Sequence, residues 1–184
     1  MRQTSIILLF AFVLASPALA QRRAPNTGMG GIGASVGAAL PAESNLENGL
    51  ELAGNIEGYL TPRMSIRGQL GTAWLDVTGR GVSVRPLFFD GNIVYNWEGG
   101  QWHPYVTGGV GFYRYHVERG SAEADDKNAG FDLGGGFEYF FRRRATITGE
   151  LLYHNVGDVM TRLAAYPDGS FWTFAIGGKA YFGR

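Results

Sequence analysis

Leu50-Glu51-Leu52-Ala53-Gly54-Asn55-Ile56-Glu57-Gly58-Tyr59-Leu60 decides the fold. Leu50, Leu52, Ile56 and Leu60 fall on one face of an extended chain, and Glu51, Asn55 and Glu57 on the other. That is the two-residue period of a β-strand. The next segment repeats it, with Met64, Ile66, Leu70 and Trp74 opposed to Arg63, Ser65, Arg67 and Gln69. Only Thr61-Pro62 separates the two, so a tight hairpin turn is expected there.

The same period runs outward in both directions and predicts eight strands, over residues 29–40, 49–60, 63–76, 82–97, 102–117, 128–141, 144–156 and 170–182. Strands of soluble domains usually run ~5 to 6 residues, whereas a tilted strand crossing a bilayer needs ~9 to 11. All eight reach the longer length. Thr61-Pro62, Glu98-Gly99-Gly100-Gln101 and Arg142-Arg143 are short connections, while 41–48, 77–81, 118–127 and 157–169 are mostly longer and more polar. Short turns on one rim and long loops on the other imply an all-β, eight-stranded antiparallel up-and-down transmembrane β-barrel, its turns periplasmic and its loops extracellular. Alternation breaks between Val82 and Phe89, which predicts a bulge and leaves the direction of Arg85 open.

The N-terminus fits export. Arg2 gives a positive start, Ile6 to Ala15 is apolar, and Ala18-Leu19-Ala20 is a small-x-small cleavage site before Gln21. Residues 1–20 therefore read as a secretory signal peptide, 21–28 as a short periplasmic lead, and 29–184 as the barrel domain, placed in a bacterial outer membrane.

Composition agrees. The 184 residues are 45% hydrophobic and 14% aromatic, too apolar for a disordered chain. Sixteen basic residues balance sixteen acidic ones, which removes the electrostatic argument for nucleic acid. There is no cysteine, so disulfides, thiol catalysis and thiolate metal sites are excluded. Many of the 29 glycines fall inside the predicted strands, where they leave packing space in a narrow barrel.

An eight-stranded barrel also admits a soluble, lipocalin-like carrier, with its apolar face turned inward around a ligand. The apolar face here carries Trp74, Tyr95, Trp97, Trp102, Phe137, Tyr139, Tyr153, Trp172 and Phe182, many near strand ends. Such rings match the interfacial aromatic girdles of a membrane barrel.

On these features the chain resembles the small eight-stranded outer-membrane barrels of the OmpA transmembrane-domain and OmpX type. Its last strand, Ser170 to Phe182, is similar to the C-terminal assembly signal of that family, with Gly177, Ala180 and Phe182 at matching spacing. The family usually ends on the aromatic itself, whereas Gly183-Arg184 follow here, and Ala175 stands where a polar residue is commoner. The resemblance implies the barrel assembly machinery as a partner during biogenesis, outer-membrane lipid and lipopolysaccharide as surroundings, and a monomer.

With the polar face inward, the interior receives Glu51, Glu57, Arg63, Arg67, Asp90, Asp132, Glu138, Glu150 and Lys179. A barrel of eight strands is filled by its side chains, so these charges must pair rather than line a wide pore. Glu150 and Lys179 lie on neighbouring strands, with Glu138 beside Glu150. A structural network of Glu57, Arg67, Glu138, Glu150 and Lys179 in the periplasmic half is expected.

Catalysis is the competing reading, because lipid A deacylases and acyl transferases also build on outer-membrane barrels. The deacylase His-x-Ser pair meets His154-Asn155-Val156 here, where Val156 has no hydroxyl. His116 lies near Ser121, Asp125 and Asp126 in a polar loop, and His103 follows Trp102 at a turn, which places it at the interface. Three scattered histidines make neither triad nor metal site, so no catalytic, cofactor or metal residue is assigned. Any recognition would fall on the loops, chiefly the acidic, flexible 118–127 and the 157–169 segment with Met160, Leu163 and Tyr166. The 118–127 acids invite divalent cations bridging lipopolysaccharide, although neither loop has calcium-loop spacing. The function expected is structural or surface-directed.

Overall fold

The computed structural model describes residues 25–77, 81–97, 100–163, 165–166 and 168–183. Residues 1–20, read as the signal peptide, lie outside the described residues, as does the lead up to residue 24.

Eight strands close into an antiparallel barrel: β1 (Gly30–Pro41), β2 (Gly49–Tyr59), β3 (Met64–Val77), β4 (Val82–Asn96), β5 (Trp102–Arg119), β6 (Ala122–Arg142), β7 (Ala145–Val156) and β10 (Phe171–Phe182). Neighbours in sequence are neighbours in the sheet, and β1 pairs with β10 from Gly30 opposite Phe182 to Pro41 opposite Phe171. Two two-residue strands, β8 (Val159–Met160) and β9 (Ala165–Tyr166), form a separate hairpin between β7 and β10.

Large apolar side chains point outward, among them Ile32, Ile56, Ile66, Ile93, Leu133 and Ile176, each more than half exposed. Aromatic rings bound this apolar band at both ends. At the end of the short turns Trp102 packs on Tyr139 (4.8 Å) and Phe137 (5.4 Å), and Tyr95 on Trp97 (5.1 Å). At the loop end Trp172 packs on Tyr153 (4.8 Å). This inverted polarity suits a hydrocarbon solvent and contradicts an inward-facing apolar pocket.

Three local expectations change. The segment 118–127 is not a flexible loop: β5 and β6 stay paired until Arg119 faces Ala122, leaving Gly120-Ser121 as a two-residue turn. Gly120 has φ 61°, the positive value that the first turn position of this hairpin class requires. The β4 strand carries no bulge: burial alternates along its whole length, and Arg85 points outward, 6.0 Å from the Trp74 ring. Arg63 stays exposed at the β2–β3 turn instead of entering the lumen.

The loop 157–169 is likewise tied down. Val159 is fully buried in the upper core and Leu163 packs against it. The amide of Met160 donates to Asp126 (2.8 Å) and Arg162 to the Glu123 carbonyl (2.9 Å), so this loop leans on the projecting part of β6.

If the band faces lipid, Ile93→Arg lowers the stability of the folded barrel in vesicles by about 2–4 kcal/mol. Glu118→Arg, beyond the band, changes it little. Denaturant titration of both variants in the same lipid checks this.

Candidate functional site

The lumen is stratified, because each strand delivers every second residue to it. At the turn end Met29, Tyr59, Phe140 and Tyr181 form an aromatic floor. Phe140 stacks on Tyr181 at 5.4 Å, and the Tyr59 and Tyr181 hydroxyls lie 3.3 Å apart. His103 joins this floor, 2% exposed and 4.8 Å from Phe140. It is therefore interior and not interfacial: Trp102 faces out, so alternation turns His103 in.

Above the floor the structure brings Glu57, Arg67, Glu138, Glu150 and Lys179 together. Lys179 donates to both Glu57 and Glu138, and the Tyr181 hydroxyl also reaches Glu138. Arg67 bridges Glu57 (3.3 Å) and Glu150, and its guanidinium lies 5.1 Å from the Tyr105 ring. Ser65 donates to Glu57, and Tyr105 to Glu150 at 2.7 Å. The partners differ from those that strand adjacency implied. In the register Glu150 faces Ala175, four residues along β10 from Lys179, so Lys179 turns to Glu57 and Glu138 while Glu150 meets Arg67 across the lumen. Each cation is shared by two carboxylates, which is the geometry that keeps buried charges tolerable.

Further toward the loops lie three more inward acids, Glu51, Asp90 and Asp132, of which Asp90 accepts from Asn92 at 2.7 Å. All three acids are almost fully buried, and Glu51 Oε2, Asp90 Oδ2 and both Asp132 oxygens find no protein donor among the described residues. Gly109 makes the room: a Cβ there would lie 2.2 Å from Asn92 Oδ1. The mouth is closed above them by Phe88, Tyr113, His154 and Phe171, then by Leu75, Val84, Val117, Val156 and Val159.

The histidines occupy three separate places. His154 is fully buried, stacked on Phe171 (4.5 Å), with Nδ1 3.0 Å from the Tyr113 hydroxyl and Nε2 3.4 Å from Thr173 Oγ1. His116 stands on the outer wall of the projecting hairpin. Its Nδ1 lies 2.9 Å from Asp125 and its Nε2 3.1 Å from Glu118, while Ser121 lies away at the hairpin turn. Asp125 also takes two hydrogen bonds from Arg114, at 3.2 and 2.9 Å. Arg114 and then His116 hold the Asp125 carboxyl at about 2, and Asp125 above all raises His116 above its ordinary 6.5.

These features define a membrane barrel with buried ion pairs in its lumen. The sequence matches the family described as the outer membrane protein beta-barrel domain over residues 6–182, and the chain belongs to that family. No curated protein matches it by sequence. Among solved structures it is similar to Neisserial surface protein A, at 12% identity and a TM-score of 0.68, covering 84% of this chain and 99% of that one. It is similar also to OprG of Pseudomonas aeruginosa (14% identity, TM-score 0.68, 89% and 100% covered). A third is the attachment invasion locus protein Ail of Yersinia pestis (10%, 0.61, 85% and 99%). At such identities the likeness shows the shared fold alone.

Two outcomes follow from the lumen. Lys179→Met leaves buried Glu138 without a cation and Glu57 with Arg67 alone, and lowers unfolding stability by roughly 3–5 kcal/mol. Asp132→Asn, which removes a buried carboxyl group with no donor to either oxygen among the described residues, leaves stability unchanged or higher. A third concerns the hairpin. The His116 contribution is complete below about pH 6.5 and fades as pH rises through its raised value, whereas that of Asp125 is complete above about pH 3.8 and fades toward pH 2. Amide protection factors for residues 114–125 should therefore peak between those limits and fall as the pH rises through the raised value of His116. The fall should shrink in Asp125→Asn, which leaves His116 only Glu118 and Glu123.

Proposed function

We propose that this chain is a monomeric, non-enzymatic barrel of the bacterial outer membrane with a structural and surface-directed role. One observation carries the reading: the lumen is filled from floor to mouth, while β5 and β6, 18 and 21 residues long, project well beyond the length needed to cross a bilayer. Binding chemistry then belongs to the projecting hairpin and to the loop 157–169 that leans on it. The buried ionic layer of Glu57, Arg67, Glu138, Glu150 and Lys179 serves to hold the lumen shut. In the same reading residues 1–20 are removed on export, and β10 presents Gly177, Ala180 and Phe182 to the barrel assembly machinery.

The lipid-modifying alternative is disfavoured by the placement of the histidines. His154 is sealed inside the lumen against Phe171, and His116 faces carboxylates.

Cell fractionation checks the proposal. The protein is expected in the outer membrane, with Gln21 at its N-terminus and faster migration on gels when left unboiled. Recovery in the soluble periplasm without detergent would contradict it. A change in lipid A mass between cells with and without the protein would favour the enzyme.

A further inference from the structure

The register of the outer wall sorts its side chains into rows. Leu70, Phe89, Phe112 and Ala129 stand side by side across β3 to β6 and form the last apolar row before the loop end. In the row immediately above, Leu87 faces Arg114 and Arg114 faces Lys127. A surface groove of about 520 Å³ joins the two rows, with Leu87, Phe89, Phe112 and Ala129 along it and Arg114 and Lys127 at its rim. Ala129 supplies the hollow, being the one small side chain beside Phe112.

Two cations directly opposite each other on a sheet repel, and a bare strand pair gains nothing from that arrangement. Asp125 answers only half of it. It occupies Nε and Nη2 of Arg114, leaving Nη1, and the Lys127 amine has no ion pair among the described residues. Arg85, in the next row up and also without a carboxylate partner among the described residues, is held over Trp74 of the loop-end girdle. Arg114 and Lys127 thus line the end of an apolar groove at the level where the hydrocarbon band stops, with Arg85 one row further up, in the row of His116 and Asp125.

We infer that this face is a binding site for the phosphorylated lipid A of the outer leaflet. An acyl chain lies along Leu87, Phe89, Phe112 and Ala129, and a phosphate sits between Arg114 and Lys127. A phosphate accepts from Nη1 and the amine together, which turns the like-charged pair into a clamp. The inference rests on insertion in the outer membrane, with the loop end outward as proposed above.

The test uses the full mature chain, purified in a zwitterionic detergent, with native mass spectrometry against diphosphoryl lipid A, the same lipid dephosphorylated, and phosphatidylglycerol. The faster migration of unboiled protein is scored first, so that a failure of the barrel itself is seen separately from a failure of the site. Diphosphoryl lipid A is expected to be retained in preference to both other lipids. The double variant Arg114→Ala, Lys127→Ala should weaken it roughly tenfold or more. Lys127→Gln, a single exposed change that leaves the lumen untouched, should weaken it in the same direction, and Asp125→Asn should not weaken it. Equal retention of the dephosphorylated lipid, equal retention of phosphatidylglycerol, or unchanged binding by folded Lys127→Gln and double variants would overturn the site.

Discussion

A main chain inside hydrocarbon has no water to bond to, and an unpaired amide there costs several kcal/mol. The pairing of β1 with β10 meets that constraint, and the other features depend on it. An open sheet would leave two long edges in lipid, whereas the register from Gly30–Phe182 to Pro41–Phe171 leaves none in the band. Closure fixes a narrow lumen, and the narrow lumen then decides which side chains the inner face tolerates. Gly136 shows how tight it is: a Cβ there would meet the Gly149 carbonyl at 2.2 Å and the Tyr105 hydroxyl, which serves Glu150, at 2.7 Å.

Within that lumen the two ends are built from different physics. The turn end relies on aromatic stacking beneath a compact ionic layer, in which Arg67 and Lys179 each satisfy two acids. The loop end relies on aliphatic and aromatic burial, completed by Val159 and Leu163 from the loop 157–169. Between them Glu51, Asp90 and Asp132 are buried acids in no ion pair among the described residues. The exterior shows a comparable gradation. The apolar band gives way first to Arg85, Arg114 and Lys127, and then, toward the hairpin tip, to Glu118 and Glu123.

The strands were legible because one period governs both faces: Leu50 to Leu60 alternates as strictly in the structure as on paper. The girdle aromatics followed from the same alternation. What the sequence hid was register. Which acid Lys179 meets depends on how far β10 slides against β7 and on contacts across the lumen, and no local pattern encodes either. The hairpin tip was hidden for another reason. Ala122, Ala124 and Asp126 alternate with Glu123, Asp125 and Lys127, but their charge reads as loop when composition is weighed above period. The Gly120-Ser121 pair was the available signal. His103 was likewise decided by its neighbour Trp102, whose outward direction left only one side for it.

The most direct measurement is a cross-link across the closure, made in a chain that has no cysteine of its own. Ala38 and Phe174 face each other on the outer wall of β1 and β10. The double variant Ala38→Cys, Phe174→Cys, oxidised after folding in vesicles, should form an intramolecular disulfide that locks the unboiled, faster-migrating form. The pair shifted by one residue, Ala38→Cys with Ala175→Cys, places its thiols on opposite faces and should not. A cross-link in the shifted pair, or none in the matched one, would contradict the closed barrel in this register.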